Sequence, residues 1–504
     1  MPNEYIKKIL EASVYDVAVE TPLDPAPLLS QRFNNSVFLK REDLQPVFSF
    51  KLRGAYNKIN SLSAAQLKKG VVTCSAGNHA QGVALAAQKK GIRATIVMPK
   101  TTPQIKVDAV KARGVKVVLH GDTYDEASAL ATQLVKDKGL VMVHPYDDPL
   151  VIAGQGTIGM EIMRQTTHPL DAVFVCVGGG GLVAGIASYV KYVSPKTKII
   201  AVEADDAACF KAALDAGKPV DLPSVGIFAD GAAVARIGRE TFRVAKDLVD
   251  DVVTVSTDEI CAAIKDIFDD TRAITEPAGA LAVAGMKKYL AKKKWNDKTV
   301  VAIASGANIN FDRLRYISER TEMGEQREAI LSVTIPEVPG SFRKFCNVLG
   351  KRNISEFNYR YSEGDKANIF VGLQIDPATD DRKVLLATLR DKGYTVSDMS
   401  DNDIAKVHVR HMVGGHGASV SDEVVYRFIF PERPGALMAF LNKLGTTWNI
   451  SMFHYRNHGS AFGRVLLGMQ VPKSERDQLA AFFETLGYTY SEESNNIAYK
   501  RFLD

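Results

Sequence analysis

AVFVCVGGGGLVAGIASYV, residues Ala172 to Val190, is the stretch whose reading decides the fold. Its nineteen residues carry no charge, which is near the minimum for a membrane-spanning helix. The order of residue types argues against a span. Val173-Phe-Val-Cys-Val177 is β-branched and aromatic, and the four glycines Gly178 to Gly181 that follow would cripple a continuous helix. A buried strand, a glycine loop and a new helix account for the same residues without a membrane.

Working outward, the chain up to about residue 320 alternates short apolar runs with longer helical patterns. Gly70–Cys74, Ala94–Met98, Lys116–Leu119, Val173–Val177, Ile199–Glu203 and Val300–Ala304 read as strands. Ala80–Lys89 and Asp125–Lys138, rich in Ala, Gln, Lys and Leu, read as helices. This βαβ alternation predicts an α/β fold, a parallel sheet covered by helices on both faces, with ligands bound beyond the carboxyl ends of the strands.

After about Glu328 the pattern changes to an internal repeat. Val333-Thr-Ile-Pro-Glu-Val-Pro-Gly340, Phe345, Leu349-Gly350, Asn353-Ile-Ser355, Phe357 and Tyr359-Arg360 return as Phe428-Ile-Phe-Pro-Glu-Arg-Pro-Gly435, Phe440, Leu444-Gly445, Asn449-Ile-Ser451, Phe453 and Tyr455-Arg456. Each copy reads as strand, Pro/Gly turn, amphipathic helix and strand, so the tail is two α+β modules. The predicted domains are 1–320, 329–401 and 423–494. Polar Asp398–Asp403 and glycine-rich Gly414–Ser421 flank the connection between the modules.

Composition narrows the function classes. Hydrophobic residues are 46% and charged residues 24% of 504, an ordinary globular balance. The net charge of +5 is spread along the chain without a basic block, so nucleic acid is not expected as a partner. The five cysteines are widely spaced, with no C-x-x-C pair, which suits a reducing compartment. Charges at Glu4, Lys7, Lys8 and Glu11 interrupt any secretory core. A cytoplasmic protein with no membrane association is expected.

Four segments carry candidate chemistry. Ser49-Phe50-Lys51-Leu52-Arg53-Gly54-Ala55 puts a lysine beside an aromatic ring, where a neutral amine is a nucleophile and a charged one is an ordinary solvated side chain. Ser75-Ala76-Gly77-Asn78-His79 lies between a strand and a helix, as an anion site or a plain helix cap. Gly178 to Gly181 and Leu182 expose several backbone N–H groups together, as a phosphate cradle requires. They lack the G-K-[ST] of a nucleotide loop, so a small phosphate cofactor fits better. Ser305, in Ala304-Ser-Gly-Ala-Asn308 at the end of the last core strand, offers a hydroxyl to a ring nitrogen or merely caps a turn.

In this order and spacing the four segments resemble the fold-type II pyridoxal-phosphate enzymes, most closely the biosynthetic threonine deaminases, over nearly the whole chain. The resemblance implies pyridoxal 5'-phosphate as cofactor, with Lys51 as the Schiff-base lysine and catalytic base. Phe50 would lie beside the cofactor, Asn78 donate to its 3-oxygen, Gly178, Gly179, Gly180, Gly181 and Leu182 hold its phosphate, and Ser305 meet its pyridine nitrogen. Ser75, Ala76, Gly77, Asn78 and His79 would face the substrate, with Gly154-Gln-Gly-Thr157 as a further candidate. The implied reaction is deamination of L-threonine to 2-oxobutanoate and ammonia, the first committed step of isoleucine biosynthesis, with L-serine as a second substrate.

The repeat resembles paired ACT-like domains. It implies isoleucine as feedback inhibitor and valine as its antagonist, bound near Phe342 and Tyr359, in a homotetramer. Other readings are a serine dehydratase or another fold-type II β-elimination enzyme, or an amino-acid sensor without catalysis. Two positions depart from the relatives' pattern. Ala278 stands where serine is common, and Cys209 stands where a metal site beside Glu203 would need an acid, so no metal is expected.

Overall fold

The computed structural model describes residues 2–324, 328–336, 344–345, 348–349, 354–359, 366–375, 382–409, 422–431, 448–456 and 462–503. It divides into two compact units, Met1–Thr321 and Glu322–Asp504.

The first unit holds two sheets where the strand pattern predicts one. The larger has the strand order Leu23–Pro25, Ser36–Arg41, Thr299–Ala304, Ala172–Cys176, Lys198–Ala204, Asp251–Val255. All its pairings are parallel except that of the first strand. The smaller, all parallel, runs Lys116–Leu119, Ala94–Met98, Val71–Cys74, Val141–Met142. Local pattern gives each strand, but which strands share hydrogen bonds is a long-range choice. Ala172–Cys176 is buried at every residue and lies inside the larger sheet. The helix Gly181–Val193 leaves from its carboxyl end, and Gly180, at φ +89°, makes the bend in the left-handed region that glycine enters freely.

Ser36–Arg41 was not legible as a core strand because Lys40 and Arg41 look solvated, yet both are buried. Their charges are met by carboxylates: Glu161, far away in the chain, lies 2.6 Å from Lys40 Nζ, while Arg41 pairs with Asp43 at 2.8 Å and Asp24 at 2.9 Å. A charge pair distant in sequence leaves no mark on hydrophobic periodicity.

Among its described residues the second unit contains two antiparallel four-stranded sheets of one topology. The first runs Ile354–Tyr359, Lys366–Gln374, Glu328–Pro336, Thr395–Asp398, and the second Asn449–Arg456, Phe462–Gln470, Glu423–Pro431, Thr489–Glu492. Both ladders shift register at the same place in the repeat, between Ile354 and Glu356 and between Ile450 and Met452. The repeat also continues beyond the residues that reveal it in sequence. Ile330 N donates to Ser400 Oγ and Met399 N to Ile330 O, while Val425 N donates to Ser494 Oγ and Glu493 N to Val425 O. Each clasp leads to an asparagine-capped helix, Asp403–Val407 or Ile497–Phe502, and the two caps meet, with Asn402 Nδ2 donating to Asn496 Oδ1 at 3.2 Å. Ile330, Phe370, Met399 and Ile404 share one core with Val425, Leu466, Tyr499 and Phe502, so the modules bury apolar surface against each other. Phe342, and Gly414–Ser421 with it, lie outside the described residues. Tyr359 closes its strand opposite Ile369.

Candidate active site

Lys51 is the first residue of the helix Lys51–Asn60, and the segment before it is fixed to the end of the last core strand. Phe50 N donates to Ser305 O at 3.4 Å, and Ser49 bridges Gly306. Lysine, aromatic ring and serine thus converge through the backbone. Lys51 Nζ lies 3.2 Å from Pro145 O and 5.3 Å from the centre of the Phe50 ring. Burial pulls its pKa down to about 8 against the opposing pull of Cys176 and Glu276. Desolvation disfavours the ammonium, so an appreciable share of neutral amine exists near physiological pH.

The Ser75–His79 segment follows the strand Val71–Cys74 and opens the helix Asn78–Lys90. Gly77 N donates to Ser75 Oγ at 3.3 Å, and a Cβ on Gly77 would meet nothing within 4 Å. The loop has room beside it. Ala76 is partly buried. Asn78 is held at both ends of its amide, with Nδ2 donating to Glu276 Oε1 at 2.5 Å and Oδ1 accepting from Asn308 Nδ2 at 2.7 Å. Its second Nδ2 hydrogen is left for a ligand. His79 is buried, and its Nε2 donates to Val143 O at 2.9 Å. Burial, with the nearby Lys51, pushes its pKa down to about 3, so the ring is neutral.

At the glycine loop, a Cβ on Gly178 would stand 2.9 Å from the Ala232 backbone, and one on Gly179 2.1 Å from the Tyr146 ring. Gly179 O accepts from Thr241 Oγ1 at 2.7 Å, so its carbonyl is engaged within the protein. The loop runs into the first turn of the helix Gly181–Val193, whose backbone N–H groups suit an anion. Leu182 is buried behind it. Ser305 Oγ donates to Ala278 O and accepts from Cys176 Sγ, each at 3.3 Å.

A lysine poised near neutrality, a cradle that tolerates no side chain, a fixed amide donor and a serine hydroxyl are the donor set that a phosphate-bearing pyridine aldehyde requires. The residues fit pyridoxal phosphate. Residues 14–306 match the family described as pyridoxal-phosphate dependent enzyme, and 319–409 and 414–503 match the C-terminal regulatory domain of threonine dehydratase. The chain is 53% identical over 504 residues to the L-threonine dehydratase biosynthetic IlvA of Burkholderia multivorans, covering 99% of each chain. With its Escherichia coli counterpart it is 54% identical, over 99% of this chain and 97% of the relative.

The chain belongs to the biosynthetic threonine dehydratases. Among solved structures, the processed form of threonine deaminase isoform 2 from Solanum lycopersicum superposes with a TM-score of 0.62 at 52% identity, over 63% of this chain and 93% of that one.

In this threonine dehydratase chain the structure also shows residues that the motifs did not single out. Arg53, on the Lys51 helix, is buried between Glu42 at 2.8 Å and Glu161 at 2.6 Å, and Lys40 closes the group on Glu161. Gly154–Thr157 belongs to this supporting layer rather than to the substrate loop. Gln155 Oε1 accepts from Gly54 N, Thr157 Oγ1 accepts from Arg53, and a Cβ on Gly154 would stand 2.7 Å from Gly54 Cα. Those glycines allow two helices to touch. Glu203 is used up by the backbone N–H groups of Phe210 and Lys211, and Cys209 Sγ donates to Gly178 O. Glu276, Asn308 and Tyr146 complete the inner surface. Asn308 closes the Ala304–Asn308 segment and Glu276 stands in a Glu-Pro helix start, whereas Tyr146 had no local signal.

Proposed function

We propose that this protein deaminates L-threonine to 2-oxobutanoate and ammonia with pyridoxal phosphate, at the first committed step of isoleucine biosynthesis, under control of its C-terminal unit. The observation that carries the catalytic reading is Lys51, a lysine lowered to about 8 with one carbonyl partner, at 3.2 Å, among the described residues. The backbone of Gly178–Gly181 and the start of the following helix would hold the phosphate, Ser305 the ring nitrogen and Asn78 the ring 3-oxygen. Bound there, the cofactor supplies an electron sink that acidifies the Cα–H bond of the amino acid.

Neutral Lys51 Nζ then accepts the Cα proton, and the ammonium so formed is a proton source for the departing β-hydroxyl. Pro145 O accepts a hydrogen bond from Nζ and aims the amine. Ser305 would meet the ring nitrogen with a neutral hydroxyl and not with a carboxylate. The segment Ser75–His79 receives the substrate. Neutral His79, tied to Val143 O, lends shape rather than charge.

L-Serine is a slower substrate, because one methyl group is worth about 1–3 kcal/mol in an apolar pocket. The two modules of the second unit bind isoleucine as inhibitor and valine as its antagonist, near Phe342 and the strand end at Tyr359. The protein acts in the cytoplasm as a homotetramer. The matched regulatory domain and the full-length likeness to biosynthetic dehydratases support this assignment. The test is an assay of 2-oxobutanoate from threonine with and without isoleucine, alongside the absorbance of the loaded protein. Turnover suppressed by isoleucine, with a Schiff-base band lost in Lys51→Ala, is the expected result. A protein that takes up no pyridoxal phosphate contradicts it.

A further inference from the structure

Glu276 is the buried acid of the site, and its position is not that of a helix cap. It stands at the N-cap of the helix Pro277–Lys293, yet its side chain makes no capping hydrogen bond. It turns to Asn78 instead, accepting from Nδ2 at 2.5 Å. Space for it is kept by glycines, since a Cβ on Gly306 would stand 2.8 Å from Oε1 and one on Gly231 3.2 Å. Asn308, which fixes the other end of the Asn78 amide, is itself anchored to Val47 O at 2.7 Å.

We infer that Glu276 is a positioning residue which, through Asn78, couples its own protonation to the charge on the cofactor oxygen that Asn78 faces. This rests on the pyridoxal-phosphate reading of the site. An ionised Glu276 holds Asn78 in place but opposes negative charge on that oxygen. A protonated Glu276 still accepts the hydrogen bond through its carbonyl oxygen, and the opposition is gone.

Glu276 changes charge near neutrality while touching Asn78; Glu203, also pushed up to about 7 by burial, is held by the Phe210 and Lys211 N–H groups instead. Burial first, and Asp230 second, push its pKa up to about 7 against the Asn78 hydrogen bond, Lys106 and the Asn308 backbone N–H. Asp230, which reaches solvent, is held below the usual carboxylate range by Lys106 at 2.6 Å and Arg313 at 3.6 Å, so it stays charged. His79 and His144 are both lowered, mainly by burial. Lys51 is occupied by the cofactor once loaded. Burial raises Cys176.

The test is the absorbance of the loaded full-length protein followed from about pH 5.5 to 9, together with kcat and KM at each pH. The unsubstituted protein is expected to show an inflection in the cofactor band within about one unit of neutrality. Glu276→Gln keeps an acceptor for Asn78 and is expected to abolish the inflection, with kcat losing its pH dependence there and KM changing less than threefold. Glu276→Asp keeps a titrating carboxyl on a shorter side chain, so its inflection is expected to persist at a displaced pH. An inflection unmoved in both variants overturns the inference and leaves the cofactor reading intact. No cofactor band in the unsubstituted protein overturns both.

Discussion

Lys40, buried, and Lys51, half-buried, are two lysines of one catalytic unit, and desolvation lowers the pKa of each. They differ in company. Lys40 Nζ reaches Thr21 O at 2.6 Å, Gln165 Oε1 at 2.9 Å and Glu161 at 2.6 Å, which occupies its three donors. Lys51 Nζ has Pro145 O at 3.2 Å as its hydrogen-bond partner among the described residues. Desolvation alone therefore does not make a nucleophile. Desolvation beside a full set of acceptors makes a structural cation, and desolvation without them makes an amine ready to give up its proton.

The largest break in this contrast is expected from Lys51→Ala. Removing the base and the cofactor anchor together lowers kcat by about ten-thousandfold or more, with the denaturation midpoint close to that of the unsubstituted protein. Arg53→Ala is expected to do the reverse. It leaves Glu42 and Glu161 short of a buried partner and costs about 3–5 kcal/mol of stability, read from chemical denaturation. Any loss of kcat in it should follow the fraction of folded protein.

A smaller effect is expected at the cradle. Gly179→Ala places a methyl against the Tyr146 ring and should weaken pyridoxal-phosphate binding about tenfold, in line with the 1–3 kcal/mol typical of overpacking. The smallest is a pH effect on the cofactor-free protein. Because the attacking species is the neutral amine, cofactor uptake should speed up as pH rises and level off above about 8, where Lys51 has lost its proton; an ordinary lysine would keep accelerating to 10.5. The same lowered value means that folded protein disfavours the ammonium. Stability from this group is therefore gained as pH rises from about 8 toward 10.5, and Lys51→Ala should flatten that rise.

What was legible in the sequence follows the range of the interactions involved. The glycine loop, the strand before it and the repeat are local patterns, and they stand in the structure where the residues put them. Within the repeat, even the shared register shift falls at the Asn-Ile-Ser segments that reveal it. The division of the strands into two sheets, the charged strand Ser36–Arg41 and the Glu276–Asn78 contact all depend on residues far apart in the chain. The Ser400 and Ser494 clasps lie in a further matching stretch, Gly393-Tyr-Thr-Val-Ser-Asp-Met-Ser-Asp-Asn402 and Gly487-Tyr-Thr-Tyr-Ser-Glu-Glu-Ser-Asn-Asn496, but the strand residue that donates to each serine, Ile330 or Val425, is far away in the chain. Gly154–Thr157 shows the opposite hazard, since a glycine-rich segment that resembles a ligand loop serves here for helix packing.

The most direct test of the contrast between the two lysines is chemical trapping. The full-length protein is loaded with pyridoxal phosphate, reduced with borohydride and digested, and the modified peptide is identified by mass. One equivalent of adduct on Lys51, with Lys40 unmodified, is the predicted result; adduct on Lys40 or on a surface lysine with Lys51 untouched would contradict the account.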